Sequence, residues 1–299
     1  MKSTRWSAIP IYQVDAFTNE TFKGNPAAVC VLRSKLNEKL MQHIASEITS
    51  PKLHLCFLSK ICPSKKTVFS LRWFTPKVEV SLCGHATLAT AAVLFREIKV
   101  NTSKIKFKTK GGNLTAKKTK RKICLNFPID KPTKIDPPGP LLKAMGVKDF
   151  CDVQYGKQTK SLLVHLPSPR DVHNLLPDYR LMESTETQKE IEGATVTAKG
   201  YPPYDFISRF FAPWMAINED PVTGAAHTML APYWSKLLNM SEMKAYQAST
   251  RRGELAVKLK PDNTIDLVGN AVIVLKGKLR LPARTDMRSS CLRQHTRAI

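Results

Sequence analysis

Two short stretches place a glycine and small residues at the start of an apolar, helix-like run. The first is Cys83-Gly84-His85-Ala86-Thr87, and the second is Asp220-Pro221-Val222-Thr223-Gly224-Ala225-Ala226. A helix N-terminus carries unpaired N–H groups and partial positive charge, which suits a carboxylate. Two such starts meeting between two lobes would make a pocket for an anionic ligand. Packing alone also produces small-residue helix starts. His85 is a candidate proton donor there, or a histidine simply held by hydrogen bonds. Asp220 is a candidate site residue, or an aspartate that caps or fixes the turn before Pro221. His227, three residues beyond Gly224, reads as structural.

Holding these residues in place takes two α/β units, one per half of the chain. Residues 9–16 and 27–32 are strand-like runs separated by Gly24-Asn25-Pro26. Residues 36–48 carry helical spacing through Leu40, Ile44 and Ile48, and 71–74 reads as a strand. Residues 83–95 are apolar nearly all round, as a helix buried on most of its surface must be. Residues 128–140 hold five prolines, which excludes a regular helix or central strand and marks the connection between lobes. The predicted division is an N-terminal lobe over 1–128, a C-terminal lobe over 129–281, and a basic, disordered tail over 282–299. In the second lobe a helix runs on to residue 238. Strands at 254–259 and 264–268 flank a turn at Pro261-Asp262-Asn263, and 271–281 is a last strand.

The formal net charge of +23 on 299 residues raises the question of nucleic acid. The densest run argues against it. Lys104, Lys106, Lys108 and Lys110 alternate with Ile105, Phe107 and Thr109, the pattern of a strand with one wet face. There is no zinc-finger spacing, RNA-recognition signature or basic heptad helix, so nucleic acid is not an expected partner. The seven cysteines include no Cys-x-x-Cys pair, so spacing indicates neither a zinc site nor a redox motif. No signal-like segment opens the chain, and no apolar run reaches the roughly 20 residues of a membrane span. A soluble protein in a reducing, cytoplasmic setting is the expectation.

Five blocks in order carry a resemblance. They are Asp15-Ala16-Phe17-Thr18 with Gly24-Asn25-Pro26-Ala27-Ala28-Val29; Arg72-Trp73-Phe74-Thr75-Pro76; Leu82-Cys83-Gly84-His85-Ala86-Thr87-Leu88-Ala89; Ser208-Arg209 to Pro213-Trp214; and Glu219-Asp220-Pro221-Val222-Thr223-Gly224. Together they resemble the phenazine-biosynthesis-like isomerase family. The resemblance implies the α/β (α+β) fold of diaminopimelate epimerase, with two similar lobes, each a curved sheet around a central helix. It implies a homodimer. It also implies intramolecular proton transfer on a small carboxylated substrate in the cleft between lobes, without metal or organic cofactor. Carried over by motif, His85 and Asp220 are catalytic, and Asn25, Gly84, Thr223 and Gly224 bind substrate. Cys83 matches a family cysteine with no catalytic role and reads as a small buried residue.

The carry-over is incomplete. The family's base is a glutamate in a Ser-Glu-Thr segment after the first helix, and this chain reads Ile48-Thr49-Ser50-Pro51-Lys52-Leu53-His54-Leu55-Cys56-Phe57 there. Ungapped alignment puts Lys52 at the glutamate's place, and alignment on Phe57 puts His54 there. A neutral imidazole at His54 could act as a replacement base near pH 7. The family serine is Ala225, and Ala216, Arg252 and Asn270 stand at family glycines, where positive φ or close approach is common. Three functions stay open: an isomerase with altered catalysis, an impaired paralogue that binds a small acid or a protein, and a basic protein recruited to an acidic partner.

Overall fold

The computed structural model describes residues 6–32, 36–48, 54–60, 67–186 and 190–282. Lys52 and the tail beyond residue 282 lie outside the described residues.

The first half builds two parallel crossovers. Strand Asn25–Leu32 leads through helix Glu38–Ile48 to the parallel strand His54–Lys60. Strand Val68–Phe74 pairs antiparallel to His54–Lys60, then leads through helix Gly84–Arg96 to the parallel strand Lys104–Thr109. Two hairpins follow, through Gly112–Thr119 to Lys122–Pro128. The second half repeats the plan. Ser161–His165 crosses over two short helices to the parallel Gly193–Lys199. Phe206–Ala212 crosses through helix Gly224–Leu238 to the parallel Glu242–Gln247. Hairpins through Gly253–Leu259 and Thr264–Gly269 complete it.

The halves are joined twice. Thr264–Gly269 pairs antiparallel with Lys122–Pro128. Strand Ala271–Pro282 then returns to pair along the whole of Trp6–Ala16, with a register shift between Gln13 and Val14. One continuous core wraps both central helices, with Trp73, Leu88, Phe107, Met229, Trp234 and Leu267 among its members. Every residue from His85 to Phe95 is buried, as the all-round apolar pattern requires.

The lysine-rich strand behaves as its pattern predicts: Lys104, Lys106 and Lys108 are exposed while Ile105 and Phe107 are fully buried. The proline-rich connection is more ordered than a bare linker. Thr133–Lys134 pairs with Asp152–Gly156, and Gly139–Ala144 is helical, with proline in its first turn. Asp130 in this segment is 3% exposed and accepts from the backbone N and hydroxyl of Thr159.

The three positions that the resemblance puts at family glycines divide. Ala216 and Arg252 both sit in the left-handed region at φ 59°. Asn270 is not among the positive-φ residues. Its side chain instead accepts from Arg96 Nη2 at 2.5 Å and from the Ala271 backbone N at 2.9 Å.

Candidate active site

The two central helices meet end to end. A Cβ built on Gly84 would lie 3.6 Å from Gly224 Cα, and one built on Gly224 would lie 3.7 Å from Gly84 Cα. The preceding residues, Cys83 and Thr223, make no side-chain cap to their helices. The uncapped N–H groups of both first turns therefore gather at one point. A cleft of about 420 Å³ opens there, lined by His54, Cys83 and His85 from the first half and by Phe210, Asp220, Thr223 and Ala225 from the second.

The turn carrying Asp220 is fixed from several sides. Asn25 Nδ2 donates to Asp220 Oδ1 at 2.9 Å and to the Val222 carbonyl at 2.9 Å, while the Thr223 hydroxyl donates to the other Asp220 oxygen. Gln247 accepts from the Thr223 backbone N and donates to the Asp220 carbonyl, each at 2.8 Å. Ser249 donates to the Pro221 carbonyl at 2.8 Å. Asn25 is wholly buried and does not line the cleft; its contact is with Asp220 and not with the open space. His227 is also fully buried, with Nδ1 2.8 Å from the Thr223 carbonyl, in keeping with a structural role.

His54 begins its strand opposite Ala27, and this register brings it against the helix start. Its ring meets that of His85 edge to face, with centroids 4.9 Å apart and planes at 77°. Burial pushes the His54 pKa down to about 4. Burial, reinforced by neighbouring His54, holds His85 well below the ordinary histidine range. Both rings are therefore neutral at pH 7, each with one N–H and one lone pair. His54 Nδ1 is buried without a hydrogen-bond partner. Cys83 Sγ lies 3.6 Å from His85 Nδ1, and burial pushes its thiol pKa well up.

His54, Gly84, His85, Asp220, Thr223 and Gly224 thus all border one cleft. Ala225 presents its methyl there with no hydroxyl. Among the described lining residues the carboxylates are Asp220 and Glu192, the latter bound by Lys160 at 2.8 Å. The sequence reading missed Gln247, Thr159 and Ser161. Gln247 buttresses the Asp220 turn, and the other two line the cleft. Their residue types carry no signal of these roles.

Residues 14–277 match the phenazine biosynthesis-like protein family, PhzC-PhzF. The chain belongs to this family. It is 43% identical over 286 residues to phenazine biosynthesis-like domain-containing protein 1 of Mus musculus, covering 91% of this chain and 99% of the relative. It is 43% identical over 275 residues to an uncharacterized isomerase of Halalkalibacterium halodurans, covering 91% and 98%. The crystal structure of a phenazine biosynthesis protein of the PhzF family from Enterococcus faecalis superposes with a TM-score of 0.82 at 38% identity, covering 92% of this chain and all of that one. This PhzF-family chain has the mixed α+β, epimerase-like fold of isomerases, a large sheet with few helices. No described helix is long and apolar enough to cross a membrane.

Proposed function

We propose that this protein shifts a proton within a small carboxylated molecule bound where the two central helices meet. The contact of two uncapped helix N-termini, at the floor of a cleft bordered by His54, His85 and Asp220, carries the reading. The substrate carboxylate accepts from the backbone N–H groups of the first turns. His85 and Asp220 orient the reacting part, Asp220 through the fixed turn that Asn25 and Gln247 support. His54 stands in for the family's glutamate. Its imidazole takes a proton from carbon, the electron pair moves into the substrate's conjugated system, and the proton returns at the other end. No net oxidation occurs and no second reactant is needed.

A binding-only protein is the second reading. It is favoured by Ala225 in place of the serine and by the engagement of both cleft carboxylates with neighbouring side chains. One experiment separates the two. Small dicarboxylates and cyclic dienoic acids are titrated into the wild type and His85→Ala while melting is followed, and the stabilising acids are then incubated in D₂O and examined by NMR. Stabilisation that His85→Ala abolishes, with deuterium entering carbon, is the expected result. Stabilisation without deuterium uptake supports the binding-only reading. A cooperative melt that no acid shifts overturns both. The homodimer that the resemblance implies is checked by light scattering, which would give twice the 33.5 kDa chain mass.

A further inference from the structure

We infer that Arg96, Lys118, Lys120, Arg121 and Lys122 form a second anion site, for a small molecule that carries two or more adjacent phosphates, of the nucleoside-diphosphate class. All five line one surface depression of about 380 Å³, with Phe95, Ile123 and Asn270 completing its walls. That volume falls in the range of small-molecule sites, about 300–1,000 Å³. None of these residues borders the active cleft, so the inference does not rest on the isomerase reading.

Arg96 is the anchored member. It ends the helix Gly84–Arg96 and is half-buried. Its guanidinium donates to the carbonyls of Ala271 and Arg121, the latter at 3.0 Å, and to Asn270 Oδ1 at 2.5 Å. All three acceptors are uncharged. They aim the guanidinium without neutralising it, and burial pushes its pKa down. The other four cations are exposed and come from one hairpin. Thr119 pairs with Lys122, which leaves Lys120 and Arg121 as a two-residue turn, with Lys120 in the left-handed region at φ 52°. The Arg121 carbonyl ties that turn to Arg96, so the group is held together before any ligand arrives.

The protein does not balance this charge. None of the five makes an ion pair among the described residues. Glu254, in an adjoining recess that shares Lys122, is engaged by Asn19 at 2.7 Å and by Tyr204 at 3.1 Å. The residues outside the described set contain one acidic side chain, Asp286, too few to offset five cations. The helix C-terminus supplies only about half a negative charge. Like charges gathered this way repel, and an anion entering the depression relieves the repulsion. A lone phosphate carries about two negative charges and leaves most of the group unmatched. Adjacent phosphates engage both the guanidinium groups and the ammonium groups. A nucleic-acid strand is tracked by cations along a stripe or groove. Here they surround a single depression with a half-buried arginine among them, which favours a small ligand.

The test is calorimetric titration of the 299-residue protein at physiological salt with pyrophosphate and ADP, and with orthophosphate, citrate and a single-stranded RNA for comparison. Pyrophosphate and ADP should each saturate one site, at least tenfold more tightly than orthophosphate or citrate. Arg96→Gln and the double variant Lys118→Gln/Lys120→Gln should each weaken pyrophosphate at least tenfold. Lys236→Gln, at an exposed lysine in a separate recess, should leave it within twofold. Absence of saturable binding, citrate as tight as pyrophosphate, or an equal loss in Lys236→Gln overturns the inference in favour of diffuse attraction. RNA that binds more tightly than pyrophosphate through the same residues overturns it in favour of a nucleic-acid surface. Binding that His85→Ala abolishes and the lysine pair leaves unchanged places the anion in the cleft and also overturns it. If Arg96→Gln does not melt cooperatively, the lysine pair decides: unchanged pyrophosphate affinity overturns the inference, and a tenfold loss supports it.

Discussion

The resemblance puts Ala216, Arg252 and Asn270 at family glycines, yet the backbone divides them, and substituting glycine should raise stability at the first two and lower it at the third. Ala216 and Arg252 sit at φ 59°. A side chain in the left-handed region costs roughly 1–2 kcal/mol. Glycine returns about 0.4–1 kcal/mol of that through the added freedom of the unfolded chain. The net gain for Ala216→Gly or Arg252→Gly is therefore about 0.5–1 kcal/mol, or about 1–1.5 °C in Tm for a chain of this size. Asn270→Gly removes the acceptor of Arg96 and of the Ala271 N–H, and the donor to Asn19. Losing a hydrogen bond to a charged group costs about 1.5–3 kcal/mol. Arg96 retains the carbonyls of Ala271 and Arg121, which places the loss at the low end. Urea denaturation reads all three, with an unchanged m-value showing that the midpoint shift is a stability change. A lower midpoint for Ala216→Gly, or a higher one for Asn270→Gly, would refute this account of what glycine does at these positions.

Other perturbations reach the site and its supports. Glu79 is held below the ordinary glutamate range, chiefly by its hydrogen bond from Arg72. Its folded pKa is depressed, so its contribution is complete above pH 4.5 and fades as pH falls through the lowered value. Glu79→Gln should accordingly flatten that part of the Tm–pH curve, and an unaltered acid limb would contradict the pairing. Arg209 and Glu219 are 11% and 14% exposed and 2.7 Å apart. Arg209→Ala should cost about 3–5 kcal/mol by denaturant titration, with Arg209→Met/Glu219→Leu recovering much of it. No recovery in the double variant would assign the loss to the carbonyls of Val172 and Leu175 that Arg209 also holds. Ala225→Ser restores a hydroxyl at an exposed helix start. It should leave stability within about 0.5 kcal/mol and tighten acid binding about fivefold, the worth of one hydrogen bond. Unchanged affinity by calorimetry would show that the hydroxyl does not reach the ligand.

What sequence made legible was local. The all-round apolar run of the first central helix leaves one physical solution, a helix buried on every side, and the structure has it at Gly84–Arg96. The turn at Pro261-Asp262-Asn263 is written in its residue types, and Asn263 takes the left-handed conformation at φ 57°. The long-range pairings were not legible. The approach of His54 to Cys83 and His85 depends on the Ala27–His54 register, which no periodicity specifies. The hold of Asn25 on Asp220 joins residues 195 positions apart. Pattern marks residues 271–281 as a strand without saying which edge it seeks. Nor does residue type tell Ala216 from Asn270: only the backbone shows that one occupies a strained conformation while the other has become a hydrogen-bonding hub.

The pairing of Trp6–Ala16 with Ala271–Pro282 bears on how the chain is made. Ile9 meets Leu279, so the partner of one of the earliest strands leaves the ribosome about 270 residues later, on the order of 10–50 s at ordinary elongation rates. For that interval the first strand can pair on one side only, with Asn25–Leu32, and its other edge stays open. Ile9, Ile11, Tyr12 and Val14 stand along it, the kind of edge that recruits other chains. Because closure waits for Ala271–Pro282, the last described strand, the first half of the fold is completed after the second, and the interval before it is a natural point for chaperone capture or misassociation.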